Sequence, residues 1–352
     1  MIADNKLTEN ATWDERLLAE QFKALAAVEL DFSLDITGFE VPEIDTIIEN
    51  ASPAHKSTDD PADLIPVDTD KPKVSQLGYL WSLGKNRILC ADATQASSYS
   101  ELMQGNKAAA IISDPPYNVH IDGHATGLGK IRHSEFPMAS GEMSPTEFTE
   151  FLGKALTAMA ANCIDGAIGY VFMDWRHLSE LLAAVARAHL ELKNLCVWTK
   201  DNAGMGSFYR SQHELVFVMK SGKRSHRNNI QLGKFGRSRS NVWQYAGASS
   251  FARNTEEGNL LALHPTVKPV AMIADAILDC SARGDIILDG FLGSGTTVIA
   301  AERTGRACRG LELNSAYVDT IVRRWQAFTG KPAVHVQSGR TFNELEAQIA
   351  NG

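Results

Sequence analysis

The tetrapeptide Asp114-Pro115-Pro116-Tyr117 follows directly on the apolar run AAAIIS at 108–113. A buried strand thus ends on a carboxylate, two prolines and an aromatic ring. Proline fixes φ and has no N–H, so Pro115 and Pro116 hold a rigid turn whose carbonyls are free to accept hydrogen bonds. Tyr117 adds a flat face. The four residues together suit a planar group that carries an NH₂: carboxylate and carbonyl accept its two hydrogens, and the ring stacks on it. Two acceptors outside the plane of a heteroaromatic amine favour a pyramidal nitrogen and expose its lone pair for attack. The plain alternative is a turn with no chemical role, since Asp-Pro and Pro-Pro are common turn formers.

A second stretch, DIILDGFLGSGTTVI at 285–299, ends an apolar strand at Asp289 and opens a helix through Thr296 and Thr297. Between them stand Gly290, Phe291, Gly293, Ser294 and Gly295. Glycines let the backbone approach a ligand closely, and a helix N-terminus offers free N–H groups. The strand stretch RACRGLE at 306–312 ends in Glu312, 23 residues after Asp289, where a carboxylate is placed to bind ribose hydroxyls. Strand, glycine turn, helix, strand and acid imply an adenosine-containing cofactor. NAD and S-adenosylmethionine both remain open, as does a purely structural glycine turn. In an open α/β sheet, ligands sit beyond the carboxyl ends of the strands. If the strands carrying Asp114 and Asp289 are neighbours, the two sites share one crevice.

The elements that must position these residues can be read from apolar spacing. Strands are expected at 87–91, 108–113, 167–173, 194–199, 214–219, 285–289 and 306–312, and helices at 13–30, 41–50, 145–163, 175–189, 268–280, 295–304 and 314–328. Their alternation predicts an α/β fold, a mostly parallel sheet with helices on both faces. Residues 51–72 are rich in Pro, Asp, Ser and Thr and read as a linker. Two irregular segments, 118–144 and 221–263, are long enough to be functional loops. The five cysteines lie far apart without a CxxC pair, which implies reduced thiols and no zinc site. HELVF at 213–217 is not HExxH, so no metal is expected there. No signal peptide or membrane span is visible, and a cytoplasmic protein is expected.

Charge is unevenly spread. The whole chain has a formal net charge of −8, but residues 1–70 hold 4 Lys/Arg against 17 Asp/Glu. Residues 193–239 hold 10 Lys/Arg against only Asp201 and Glu214. A basic stretch interleaved with Phe208, Tyr209 and Phe235 is the sort of surface that neutralises phosphates. A solvated basic face without a partner is the alternative.

DPPY at 114–117, FLGSGTT at 291–297 and HPTVKP at 264–269 together resemble the amino-group DNA methyltransferases that use S-adenosylmethionine. The order of the motifs is similar to that of the β class, a circular permutation of the Rossmann-like methyltransferase fold. The resemblance spans 73–330. It implies that Asp114, Pro115, Pro116 and Tyr117 hold a flipped-out target base in double-stranded DNA. It implies that Asp289, Phe291, Gly293, Ser294, Gly295 and Thr296 line the cofactor, with Glu312 on its ribose and Asp92 near its adenine. His264, Thr266 and Lys268 would close over its amino-acid end. In the family DPPY is typical of adenine-N6 transfer and SPPY of cytosine-N4, so Asp114 favours adenine. One departure is Gly290, where the family commonly has proline.

The family's target-recognition segment falls at 221–263, and its candidate DNA contacts are Lys223, Arg224, Arg227, Lys234, Arg237 and Arg239. Arg210, in the Gly-rich stretch after Trp198, is expected near the target base. Residues 1–50 resemble the tail of a ParB-like domain, read as a helical remnant, and 331–352 read as a C-terminal extension. The acidic start could instead cover a basic groove or mimic DNA. The resemblance also implies a homodimer and leaves a restriction endonuclease partner open. Competing readings are a cytosine-N4 enzyme and a non-catalytic DNA-binding accessory protein.

Overall fold

The computed structural model describes residues 13–28, 34–51, 60–65, 71–119, 138–204, 208–247 and 267–351. It divides into two compact units, one built from Met1–Ser57 with Asn229–Arg239 and the other from Thr58–Asn228 with Ser240–Gly352.

The smaller unit holds helices α1 (Glu15–Ala27) and α2 (Val41–Asn50) with a 3-10 turn at Leu34–Thr37. Asp14 caps α1 by accepting the Leu17 N–H at 3.0 Å. Glu43 starts α2 by accepting the Glu40 N–H at 2.6 Å, beside Pro42 in the first turn. Both devices satisfy N–H groups that a helix start leaves free. Phe22, Ile44 and Ile48 form a small core of their own, lined by Leu18, Leu34 and Phe39. The segment 229–239 belongs to this unit through ion pairs. Lys234 meets Glu40 at 2.9 Å, and Arg237 meets Glu49 at 2.6 Å.

The larger unit is a ten-stranded sheet. Its strands are β1 (Leu80–Leu83), β2 (Asn86–Cys90), β3 (Ala108–Ser113), β4 (Cys163–Met173), β5 (Glu191–Thr199), β6 (His213–Lys220), β7 (Val242–Gln244), β8 (Ile286–Asp289), β9 (Ala307–Glu312) and β10 (Val334–His335). They lie in the order β10-β1-β2-β9-β8-β3-β4-β6-β5-β7. The central run β2-β9-β8-β3-β4 is parallel throughout. β6 enters antiparallel to both β4 and β5. Helices α3 (Ala96–Met103), α4 (Pro145–Ala161) and α5 (Leu178–Arg187) cover one face, packing through Leu102, Leu152 and Leu181. Helices α6 (Val270–Cys280), α7 (Thr296–Thr304) and α8 (Ser315–Thr329) cover the other, packing through Ile277, Val298 and Ile321. Along β3, Ala110 and Ile112 belong to the second core and Ile111 to the first, which is why this strand reads as an unbroken apolar run.

Two expectations change. Residues 331–352 are no mere extension: β10 pairs with β1, and Phe342, at the start of α9 (Phe342–Ala350), is fully buried 5.2 Å from the Trp81 ring. The segment 221–263 is not one insertion, because its part 229–239 belongs to the N-terminal unit while 221–228 and 240–247 stay with the sheet. Among the described residues no helix is long and apolar enough to cross a membrane.

Candidate active site

Three neighbouring parallel strands deliver acids to one edge of the sheet. β9 ends in Glu312, β8 in Asp289, and β3 is followed at once by Asp114. Asp92 comes two residues after β2, the next strand along. The strands carrying Asp114 and Asp289 are therefore neighbours, as a shared crevice requires.

Asp114 is gripped from two sides. Its Oδ1 accepts the Tyr117 hydroxyl at 2.6 Å, and its Oδ2 accepts Lys268 Nζ at 2.6 Å. Burial pushes the Asp114 carboxyl above its usual range, and Lys268 pulls the other way. Lys268 precedes α6 and its side chain is almost fully buried. The resemblance places Lys268 over the cofactor's amino-acid end, and in this structure its ammonium faces Asp114. Its partners in the motif, His264 and Thr266, lie outside the described residues.

Glu214, the second residue of β6, completes this cluster. Because β6 runs antiparallel to β4, its first residues reach the same edge as the last residues of the parallel strands. Glu214 Oε2 lies 3.1 Å from both Lys268 Nζ and the Tyr117 hydroxyl, and Oε1 accepts Lys200 Nζ. Burial raises the Glu214 carboxyl, but Lys268 and Lys200 outweigh it and hold it at about 2. Sequence reasoning missed Glu214 and Lys200. The apolar pattern starts a strand at 214, but it does not show that this strand runs antiparallel to β4 and so brings Glu214 to the same edge as Asp114.

The glycine turn joins β8 to α7. Gly293 and Gly295 have φ of 53° and 83°, a region that favours glycine. Asp289 accepts the Phe291 N–H at 2.9 Å and the Thr297 hydroxyl at 2.6 Å. Glu312 accepts the Gly293 N–H at 2.9 Å and the Asn314 N–H at 2.8 Å. Burial pushes both carboxyls up to about 7. Ser294 and Thr296 are buried, and Arg324 donates to the Ser294 carbonyl at 3.0 Å. Thr296 donates to the Lys268 carbonyl at 3.2 Å, so it ties the cofactor turn to the segment carrying Lys268. Phe291 packs against Phe151, ring centres 5.8 Å apart. Asp92 accepts both the N–H and the hydroxyl of Thr94 at 2.8 Å. Gly290 sits in a tight place, where an added Cβ would meet Met159 Sδ and the Tyr99 hydroxyl at 3.1 Å.

Four of the turn's N–H groups are spent inside the protein. Besides Phe291 and Gly293, Leu292 donates to the Leu311 carbonyl at 3.0 Å and Gly295 to the Leu292 carbonyl at 2.8 Å. A pyrophosphate needs such groups free. It would also face Asp289 and Glu312. A cationic ligand with ribose hydroxyls fits this donor set: Glu312 spends two of its roughly four lone-pair sites and keeps the rest for a diol.

The predicted DNA contacts are scattered. Lys223, Arg224 and Arg227 are exposed on the larger unit, with the Lys223 and Arg224 N–H groups held by Asp165 at 2.6 and 2.8 Å. Lys234, Arg237 and Arg239 belong to the smaller unit. Arg237 is 8 % exposed and pairs with Glu49. Lys234, though exposed, is paired with Glu40. Arg210 donates to the carbonyls of Gly204 at 2.9 Å and Ala203 at 2.8 Å, so it shapes its own loop. Another residue missed was Asn118, at a φ of 52°. It accepts the Gly141 N–H at 3.1 Å and donates to the Met143 carbonyl at 2.8 Å, joining the two ends of the 118–144 segment. Residues 120–137 between them, and 248–263 of the recognition segment, lie outside the described residues.

Comparison with known proteins agrees with this geometry. Residues 108–323 match the profile of a family described as N6/N4 DNA methylase, and the chain belongs to that family, whose methyl donor is S-adenosylmethionine. It is a DNA methyltransferase. Residues 16–77 match a ParB-methyltransferase HTH domain, so the N-terminal likeness is to a helix-turn-helix piece. The type II methyltransferase M.HpaI of Haemophilus parainfluenzae is 23% identical over 278 residues, covering 75% of this chain and 82% of that protein. M2.MboI of Moraxella bovis, also a type II methyltransferase, is 25% identical over 240 residues, covering 64% and 83%. The PvuII DNA methyltransferase, cytosine-N4-specific, shares the fold with a TM-score of 0.52 at 15% identity, covering 76% of this chain and 93% of that one.

Proposed function

We propose that this enzyme methylates the N6 amino group of adenine at a specific site in duplex DNA, with the target base swung out of the helix into the edge formed by Asp114 and Tyr117. The observation that carries the reading is Asp114 and Tyr117 in one cluster, on the strand next to the one that ends in Asp289 and the glycine turn. When bound, S-adenosylmethionine supplies a methyl group on a positively charged sulfur. Glu312 would hold its ribose and Asp92 its adenine. The acidic strand ends around the turn suit its positive charge.

The rest is the work of this chain's residues. A base inside a duplex is out of reach, so the target must leave the stack, and the Tyr117 ring offers it a new one. Asp114 and the backbone carbonyl of Pro115 accept the two amine hydrogens and turn the lone pair outward. After transfer the nitrogen carries an extra proton, and Asp114, its carboxyl raised by burial, is the nearest base to take it. Adenine is favoured over cytosine because the motif begins with Asp114, as adenine enzymes of the family typically do. Lys223, Arg224 and Arg227 are the exposed candidates for phosphate contacts.

Product identity tests the base. Unmethylated DNA of mixed sequence, treated with the enzyme and S-adenosylmethionine and digested to nucleosides, should yield N6-methyladenine by mass spectrometry. N4-methylcytosine in its place would overturn the assignment to adenine.

A further inference from the structure

Lys268 carries three N–H donors, and each has an acceptor. Nζ lies 2.6 Å from Asp114 Oδ2, 3.1 Å from Glu214 Oε2 and 3.3 Å from the Tyr117 hydroxyl oxygen. The rings of Phe172 and Tyr117 stand 5.1 and 5.6 Å away. Lys200 holds the far oxygen of Glu214 and lies over the Trp198 ring at 4.7 Å. Two carboxylates and two ammonium groups therefore make a neutral buried set, with Lys268 shared between the acids. The groups that face Asp114 are Lys268, Tyr117 and Glu214, with Asp289 on the neighbouring strand end.

In this arrangement both oxygens of Asp114 are engaged, one by Tyr117 and one by Lys268. An incoming amine can use the lone-pair sites left on these oxygens, but to take the one that faces Lys268 it has to displace the ammonium. A buried ammonium that loses its only counter-ion is strongly disfavoured. Lys268 has a second carboxylate within reach, so it can give up Asp114 and stay paired.

We propose that Glu214 is a positioning residue for methyl transfer: it holds Lys268 between two carboxylates, so that the target amine can take Lys268's place on Asp114 without leaving a buried charge unpaired. The proposal rests on the reading that Asp114 receives the target amine. It explains why an acid stands at the start of β6, in a stretch otherwise rich in Lys and Arg. It also gives Lys200 a role, as the cation that balances the second acid.

The test uses the full chain, duplex DNA and S-adenosylmethionine, with kcat and KM for DNA measured from pH 5 to 9. In Glu214→Gln the ammonium keeps Asp114 as its one carboxylate partner within contact distance among the described residues, so kcat should fall about ten-fold or more while KM for DNA changes less than about three-fold. The acid limb of the kcat profile should move to lower pH, because the negative neighbour that favours protonated Asp114 is gone. Adding Lys268→Met to Glu214→Gln should restore part of kcat. Wild-type kcat in Glu214→Gln would overturn the proposal. So would a loss with an unmoved acid limb and no recovery in the double variant, which is the pattern of a structural role alone. If Glu214→Gln does not fold, Glu214→Asp decides: its shorter arm should lower kcat, and a wild-type kcat would overturn the proposal. The underlying reading fails separately, if Asp114→Ala still methylates DNA.

Discussion

Asp289 and Glu312 are carboxyls that the fold buries before any ligand arrives, and this makes the ligand-free protein sensitive to pH. Both are pushed up to about 7 by burial, and Asp63 to about 6. In the unfolded chain such groups titrate near about 4. The folded state therefore binds their protons more tightly, and on their account stability falls as pH rises from about 4 to about 7, then levels off. Glu214 works in the opposite sense. Burial is outweighed by its two lysines, which hold it at about 2, so its contribution is complete above its unfolded value and is lost as pH falls below that. His226 and His335, held low by burial, oppose the carboxylates as pH falls below the ordinary histidine range. With Asp114 and Asp319, also raised by burial, the raised carboxyls number five and outweigh two lowered imidazoles. Without cofactor, the thermal midpoint should be higher at pH 5.5 than at pH 8, as read by scanning calorimetry. A midpoint that climbs steadily over that range would contradict the assignment of buried, proton-binding acids to the strand ends. At this scale the sequence is informative where the chemistry lies in consecutive residues. Asp114 and Tyr117 are three apart, and so can be read as one site. Glu214 and Lys268 are 54 residues apart in the chain and meet only through the strand order.

At the scale of elements, the glycine turn shows how packing fixes a binding loop. Gly295 has φ of +83°, and an added Cβ would lie 2.8 Å from Ile321 Cγ2 on α8. Gly295→Ala thus adds backbone strain to a steric conflict between the start of α7 and α8. Such strain costs on the order of 1–3 kcal/mol. The variant should melt several degrees lower and bind S-adenosylmethionine more weakly by isothermal titration, since Gly293 lies on the displaced turn and holds Glu312 through its N–H. Unchanged melting and binding would show that α8 gives way freely. The elements themselves are largely legible. Strands β3 and β6 and helix α2 fall within a residue of their apolar patterns. α3 escapes because its sequence, ASSYSELM, is half serine and small residues, with only Tyr99, Leu102 and Met103 to mark a buried side. β10 escapes because it is a two-residue edge strand defined by pairing with β1, and β1 because it is a four-residue piece held between β10 and β2.

At the scale of the whole molecule, charge is partitioned rather than spread. Among the described residues, the acidic N-terminal segment engages the basic stretch at 229–239, where Glu40 and Glu49 take up Lys234 and Arg237. The sequence shows the excess of each sign but not which basic residues are already paired, because pairing depends on a segment that joins the helices from 180 residues away in the chain or more. Among the exposed basic residues of the larger unit, Lys223, Arg224 and Arg227 stand on the unit that holds the acidic edge. The account makes Asp114 the group through which that edge acts on DNA. The most direct measurement is therefore methyl transfer from labelled S-adenosylmethionine to duplex DNA by the intact protein and by Asp114→Ala, with cofactor affinity measured on both. The account predicts that the variant keeps the cofactor within a few-fold and loses about 100-fold or more in transfer, the scale seen when one preorganised polar contact to the reacting group is removed. Transfer by Asp114→Ala at a rate close to that of the intact protein would contradict it.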